Sequence, residues 1–134
     1  MSVATLPNPV QEASALPAQV QMILSALEAG AFSGQEKRRA SRRHYHVRAR
    51  LRLFVDAAGA PAWVLYTRDV SARGIGFICQ HRLPLGYGGT LSLCAPDGTS
   101  LTVDCVLLRC RETVHGWYEG SLYFNREQFA FKDL

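Results

Sequence analysis

The sequence predicts an all-β protein, a six-stranded antiparallel barrel preceded by one N-terminal α-helix. Three observations carry that reading. From Tyr45 onward, apolar and polar residues alternate with period two. Turn residues break the alternation at intervals of roughly 8–12 residues. Helical spacing occurs in one stretch only, ahead of position 30. A closed or nearly closed barrel is favoured over an open sheet, because closure removes unpaired edges.

Residues 1–15 are rich in Pro, Ser and Ala without periodicity and read as a mobile tail. In "LPAQVQMILSALEAG", Leu16, Val20, Ile23, Leu24 and Leu27 form one apolar stripe. Pro17 suits the first turn and Gly30 the position after the last, so a helix is expected over 17–29. It is a candidate to cover the barrel mouth or to bind a partner. "AFSGQEKRRASRR" reads as a linker. The expected organisation is a tail at 1–15, helix and linker at 16–34, and a barrel domain at 35–134.

The first strand starts near Tyr45. Val47, Ala49, Leu51, Leu53 and Val55 share one face, and Arg48, Arg50 and Arg52 the other. "DAAGAP" turns the chain into "AWVLYTRDV", the second strand, and "GIGFICQ" is the third. After the loop "HRLPLGYGG" come "TLSLCA", the tight turn "PDGT", the long strand "SLTVDCVLLRCR", the turn "ETVHG" and the strand "WYEGSLYF". "NREQFAFKDL" is too short to assign.

Composition narrows the function. Apolar residues make up 48% of 134, enough for one domain with a modest core. No apolar run reaches the ~20 residues of a membrane helix. The N-terminus lacks the basic and apolar regions of a signal peptide, so a cytoplasmic protein is expected. Cys79, Cys94, Cys105 and Cys110 form no CxxC pair and no zinc-finger spacing with histidine; they read as buried reduced thiols. His44, His46, His81 and His115 are scattered, and no third ligand joins the pair His44 and His46. Ser71 lacks the strand-to-helix setting of a nucleophile elbow. Nothing supports Asp69 and Asp104 as a carboxylate pair, and "RGIGF" has neither a Walker lysine nor a following helix. No enzyme, metal or cofactor is expected.

Charge is more telling. Residues 37–52 hold eight of the fifteen basic residues and no acid, while the remainder carries seven basic against eleven acidic residues. Arg38, Arg39, Arg42 and Arg43 form two pairs with four-residue spacing. A basic segment is often only a solvated face. Arginine, however, binds phosphate and the guanine O6/N7 edge with a planar fork and stacks on bases. The stretch "RDVSARGIGF" raises a second question, because a plain hairpin needs two turn residues. Here Asp69 and Ser71 are suited to holding a turn or meeting a ligand, and Gly74 permits positive φ or close backbone approach.

These motifs resemble the PilZ domain family. "RRASRR" supplies RxxxR as Arg38/Arg42 and as Arg39/Arg43, and "DVSARG" matches DxSxxG at Asp69, Ser71 and Gly74. "GTLSL", "LLRCRE" and "WYEGSLYF" look like the family's later strands, so the resemblance covers about residues 36–125. It implies a bacterial, non-enzymatic receptor for the second messenger cyclic di-GMP. In that family the arginines grip guanine and phosphate, and the DxSxxG turn meets the other side of the nucleotide. The implied site is Arg39 and Arg43, or Arg38 and Arg42 in the other register, with Asp69, Ser71 and Gly74. Binding is expected to order the arginine-rich segment and to signal to a partner protein. Two alternatives stay open: a PilZ-like protein adaptor that binds no nucleotide, and a small barrel for single-stranded nucleic acid. The last fits less well, since Phe54 is the lone aromatic beside the outward arginines of 47–55.

Overall fold

The structure, a computed structural model, describes residues 16–31 and 43–131. Its elements are α1 (Ala18–Ala31), β1 (Arg43–His44), β2 (Arg48–Leu53), β3 (Trp63–Ser71), β4 (Gly74–Cys79), β5 (Gly88–Cys94), β6 (Ser100–Glu112) and β7 (Tyr118–Phe124). A single 3₁₀ turn follows at Phe129–Phe131. The strands run β3-β2-β5-β6-β7-β4, and β4 pairs back onto β3, which closes a six-stranded antiparallel barrel. The expected fold class is thus the observed one.

Alternation fills the barrel. Leu51, Leu65, Ile75, Phe77, Leu91, Leu107 and Leu122 are fully or almost fully buried and share one core. At roughly 1.5–3 kcal/mol for each fully buried aliphatic side chain, this set is the main source of stability. The first strand is shorter than its pattern implied. Val47, Ala49, Leu51 and Leu53 face inward, but Val55 is exposed, because the strand ends at Leu53 and Asp56 turns the chain by accepting from Leu53 N at 2.9 Å. The little strand β1 is the same line of chain as β2, interrupted at 45–47. There the Thr67 hydroxyl fills the gap: it accepts from Val47 N at 2.9 Å and donates to the Tyr45 carbonyl.

The helix does not cover a barrel end. Val20, Ile23 and Leu24 pack on Ile78, Trp117 and Tyr66, which lie on the outside of the β3–β4–β7 wall. It also extends through Gly30 to Ala31, past the expected end. One barrel end is filled instead by Phe131, 2% exposed, against Phe124 and Tyr45. The Tyr45 hydroxyl donates to the Cys94 carbonyl at 2.5 Å, and burial raises its pKa. The tail that delivers Phe131 had no assignment from sequence.

All four cysteines are buried and free. Burial pushes Cys105 up to about 12. Cys79 and Cys110 are neighbours at the other barrel end. Cys79 Sγ donates to the His81 carbonyl at 3.0 Å; its contact with Cys110 raises Cys79, while Cys79, Leu83 N and nearby Arg82 lower Cys110.

Candidate functional site

Arg43, the last of the clustered arginines, reaches the DxSxxG stretch along one strand pairing. β1 runs antiparallel to the end of β3, with Arg43 opposite Val70 and His44 opposite Asp69. Both β1 residues are exposed. Arg38, Arg39 and Arg42 lie outside the described residues, so of the four candidate arginines only Arg43 is placed. It stands where the arginine-rich segment reaches the Asp69–Ser71 stretch.

Asp69 is shaped by a bulge. Thr67 pairs with Phe77 and Asp69 with Gly76, so Arg68 is an extra residue in β3. The irregularity is sealed by the Asp69 side chain, whose Oδ1 accepts from Gly76 N at 3.0 Å. Its Oδ2 accepts from Arg68 Nε at 3.2 Å. Arg68 then reaches Glu119 of β7, 2.8 Å from Nη1 to Oε2, and Arg111 of β6 holds the other carboxylate oxygen at 2.8–2.9 Å. Asp69 and Glu119 are each 6% exposed. A line of alternating charge therefore crosses four strands on the outer wall. Gly76 lets it lie flat: a Cβ there would sit 2.7 Å from Asp69 Oδ1 and 3.0 Å from Arg68 Nη2.

Ser71, 2% exposed, accepts from Arg73 N at 3.2 Å, a hydroxyl-held turn. The hairpin uses no residue of positive φ, so that reason for Gly74 falls away. Close approach is what requires it: a Cβ at Gly74 would lie 2.3 Å from the Leu122 carbonyl oxygen. The tail braces the same turn, with Gln128 N donating to Ala72 O at 2.7 Å and Phe124 N to Arg73 O at 2.8 Å.

Register extends this surface across the barrel. Asp69, Gly76, Ser121 and Arg109 form one row, and Ser71, Gly74, Tyr123 and Val106 the next. Arg43 and Arg73 lie exposed beside these rows, Arg73 within 3.9 Å of Glu127. Gly76, Ser121, Arg109 and Glu119 were not singled out in the sequence, because only strand register brings them to Asp69. The helix borders the site as well: Glu28 Oε1 lies 2.6 Å from His46 Nε2 and 3.6 Å from His44 Nδ1. Among the described residues no group of His, Cys, Asp or Glu is arranged to hold a metal ion, and no helix is long and apolar enough to cross a membrane.

The molecule is therefore a closed antiparallel barrel whose basic lead-in is joined to an Asp-x-Ser-x-x-Gly hairpin. The model of the PilZ domain matches residues 36–132, and the chain belongs to the PilZ domain family. Among solved structures it is similar to the Bacillus subtilis inhibitor of motility MotI/DgrA, with a TM-score of 0.56 and 12% identity. That likeness covers 71% of this chain and 46% of the other, so this chain spans under half of its neighbour. At that identity the likeness speaks for the fold. No curated protein sequence matches the chain.

Proposed function

We propose that this protein is a non-enzymatic receptor for cyclic di-GMP, the ligand that membership of the PilZ family implies. The observation that supports it is the β1–β3 pairing, which sets Arg43 and His44 beside Val70 and Asp69. It joins the arginine-rich segment to the DxSxxG turn on one outer surface. Arginine forks from Arg39 and Arg43, or from Arg38 and Arg42, meet phosphate and the guanine O6/N7 edge. The Asp69–Gly74 turn offers the facing contacts. Binding draws the 35–44 segment onto the nucleotide, and a partner protein reads the altered surface or α1 beside it. Calorimetry with cyclic di-GMP tests this: saturable binding is expected, and absence of heat and of competition with a labelled analogue overturns it.

A second reading is an adaptor that binds protein alone. The observation favouring it is that Asp69 and Ser71 already have hydrogen-bond partners within the fold. The same titration separates the two readings.

A further inference from the structure

We propose that a recess on the outer wall, between β2, β3 and the segment just past β4, is a separate ligand site for a small aromatic anion. It holds about 290 Å³ and is lined by Arg48, Trp63, Tyr66, Gln80 and His81, with small apolar side chains between them. It shares no residue with the Asp69–Gly74 turn.

The charge argument comes first. Arg48 is half-buried, and its Nε is shut off from solvent with no hydrogen-bond partner among the described residues. Among the described residues no carboxylate lines the recess. Described acids elsewhere in the fold have partners of their own: Asp56 accepts from Leu53 N and from the Trp63 indole at 3.2 Å, Glu28 faces His46 at 2.6 Å, and Glu119 is held by Arg68 and Arg111. A partly desolvated guanidinium without a counter-charge costs free energy. An anion placed in the recess offsets that cost with a charge-assisted contact.

The walls specify the rest of the ligand. The Trp63 and His81 rings lie 5.2 Å apart at 59°, and Tyr66 is held by Trp117 at 6.3 Å. Flat aromatic surface around one cation suits a planar ring that stacks while its acid group meets Arg48. Gln80 has a donor and an acceptor to orient it. The volume, about 290 Å³, lies just below the ~300–1,000 Å³ typical of ligand clefts, which fits one ring with a carboxylate or phosphate and not a dinucleotide. Tyr66 also packs beneath α1, so a ligand here touches a residue on which the helix rests.

The experiment uses the full chain, labelled with ¹⁵N. It contains two tryptophans, so two indole N–H signals report separately on the recess (Trp63) and on the helix seat (Trp117). Phenyl phosphate and benzoate are titrated in parallel arms, with inorganic phosphate as a third. A saturable shift of the Trp63 indole by at least one aromatic anion is expected, and the stronger arm identifies the acid group. Arg48→Gln weakens that binding at least tenfold, while Arg52→Gln, on the same strand but outside the recess, leaves it unchanged. Should Arg48→Gln disturb the spectrum at large, His81→Ala at the exposed rim supplies the test, with an expected fivefold loss. No saturable Trp63 shift in either aromatic arm overturns the proposal. So does inorganic phosphate binding as tightly as phenyl phosphate, or unchanged affinity in natively folded Arg48→Gln or His81→Ala.

Discussion

Arg68 and Glu119 are 51 positions apart in the chain, yet their side chains meet at 2.8 Å across β4. The contact depends on three local features. The bulge in β3 frees Arg68 from the ladder, Gly76 leaves room over β4, and Arg111 balances the second Glu119 oxygen. Removing one member of a buried pair strands the others in a poorly solvated place.

Glu119→Ala is therefore expected to lower stability by ~3 kcal/mol. Urea unfolding followed by circular dichroism measures it. A loss under ~0.5 kcal/mol, the range of ordinary surface changes, shows that the bridge contributes nothing.

The two motif-region glycines differ in what they permit. At Gly74 an added Cβ meets a backbone carbonyl, which cannot move without shifting β7. At Gly76 it meets the ends of two side chains, which can swing aside. Gly74→Ala is expected to destabilise by more than the ~1–3 kcal/mol usual for overpacking, and Gly76→Ala to stay within that range. Thermal melts of the two variants check the order; equal melting temperatures contradict the geometry.

The sequence made the barrel legible because alternation and turn chemistry are local signals, and β2 to β7 occupy the stretches those signals marked. What it left out depends on distant pairing. Val55 fits the alternation but falls beyond the Asp56 turn. Phe131 is one of two phenylalanines in a short tail, and nothing local says that it, and not the exposed Phe129, fills a barrel end. Gly76 and Glu119 become part of the Asp69 surroundings only through register with β4 and β7. At the site, the DxSxxG residues were legible as a motif, but not that Asp69 seals a bulge or that Gly74 serves close approach instead of positive φ.

The apolar stripe of α1 seats on the barrel through Leu24, 0% exposed, and Val20, 1% exposed. Leu24→Ala is expected to cost ~2–5 kcal/mol, as for other buried leucines. Deleting residues 1–30 uncovers Ile78 and Trp117 and is expected to lower the melting temperature by several degrees. An unchanged melting temperature in both variants means that the helix is not held on this wall.

For the proposed nucleotide site, Arg39→Ala or Arg43→Ala is expected to weaken cyclic di-GMP binding at least tenfold, ~1.4 kcal/mol. Arg48→Ala, on the β2 outer face, is expected to have a smaller effect. Calorimetry on each variant decides. If Arg38→Ala and Arg42→Ala carry the loss instead, the arginines act in the other register; if Arg48 alone matters, the assignment to either pair is wrong.

The most discriminating substitution is at Asp69, because its two oxygens have different partners. Asp69→Asn keeps an oxygen for Gly76 N and gives up the charge beside Arg68. The fold is expected to lose only ~1 kcal/mol, the worth of one weakened hydrogen bond. Asp69→Ala removes both contacts and leaves the Gly76 N–H buried and unpaired, with an expected loss of ~2–3 kcal/mol. Ser71→Ala gives up the acceptor for Arg73 N and is expected to cost ~0.5–1.5 kcal/mol. If the turn faces the nucleotide, Asp69→Asn and Ser71→Ala both reduce affinity while remaining folded, and their double variant more so. Melting temperature and cyclic di-GMP affinity are measured on the same samples, so that a lost fold is not mistaken for a lost contact. Wild-type affinity in a folded double variant would mean that the acid and the hydroxyl serve the bulge and the turn alone, with nucleotide contact left to the arginines.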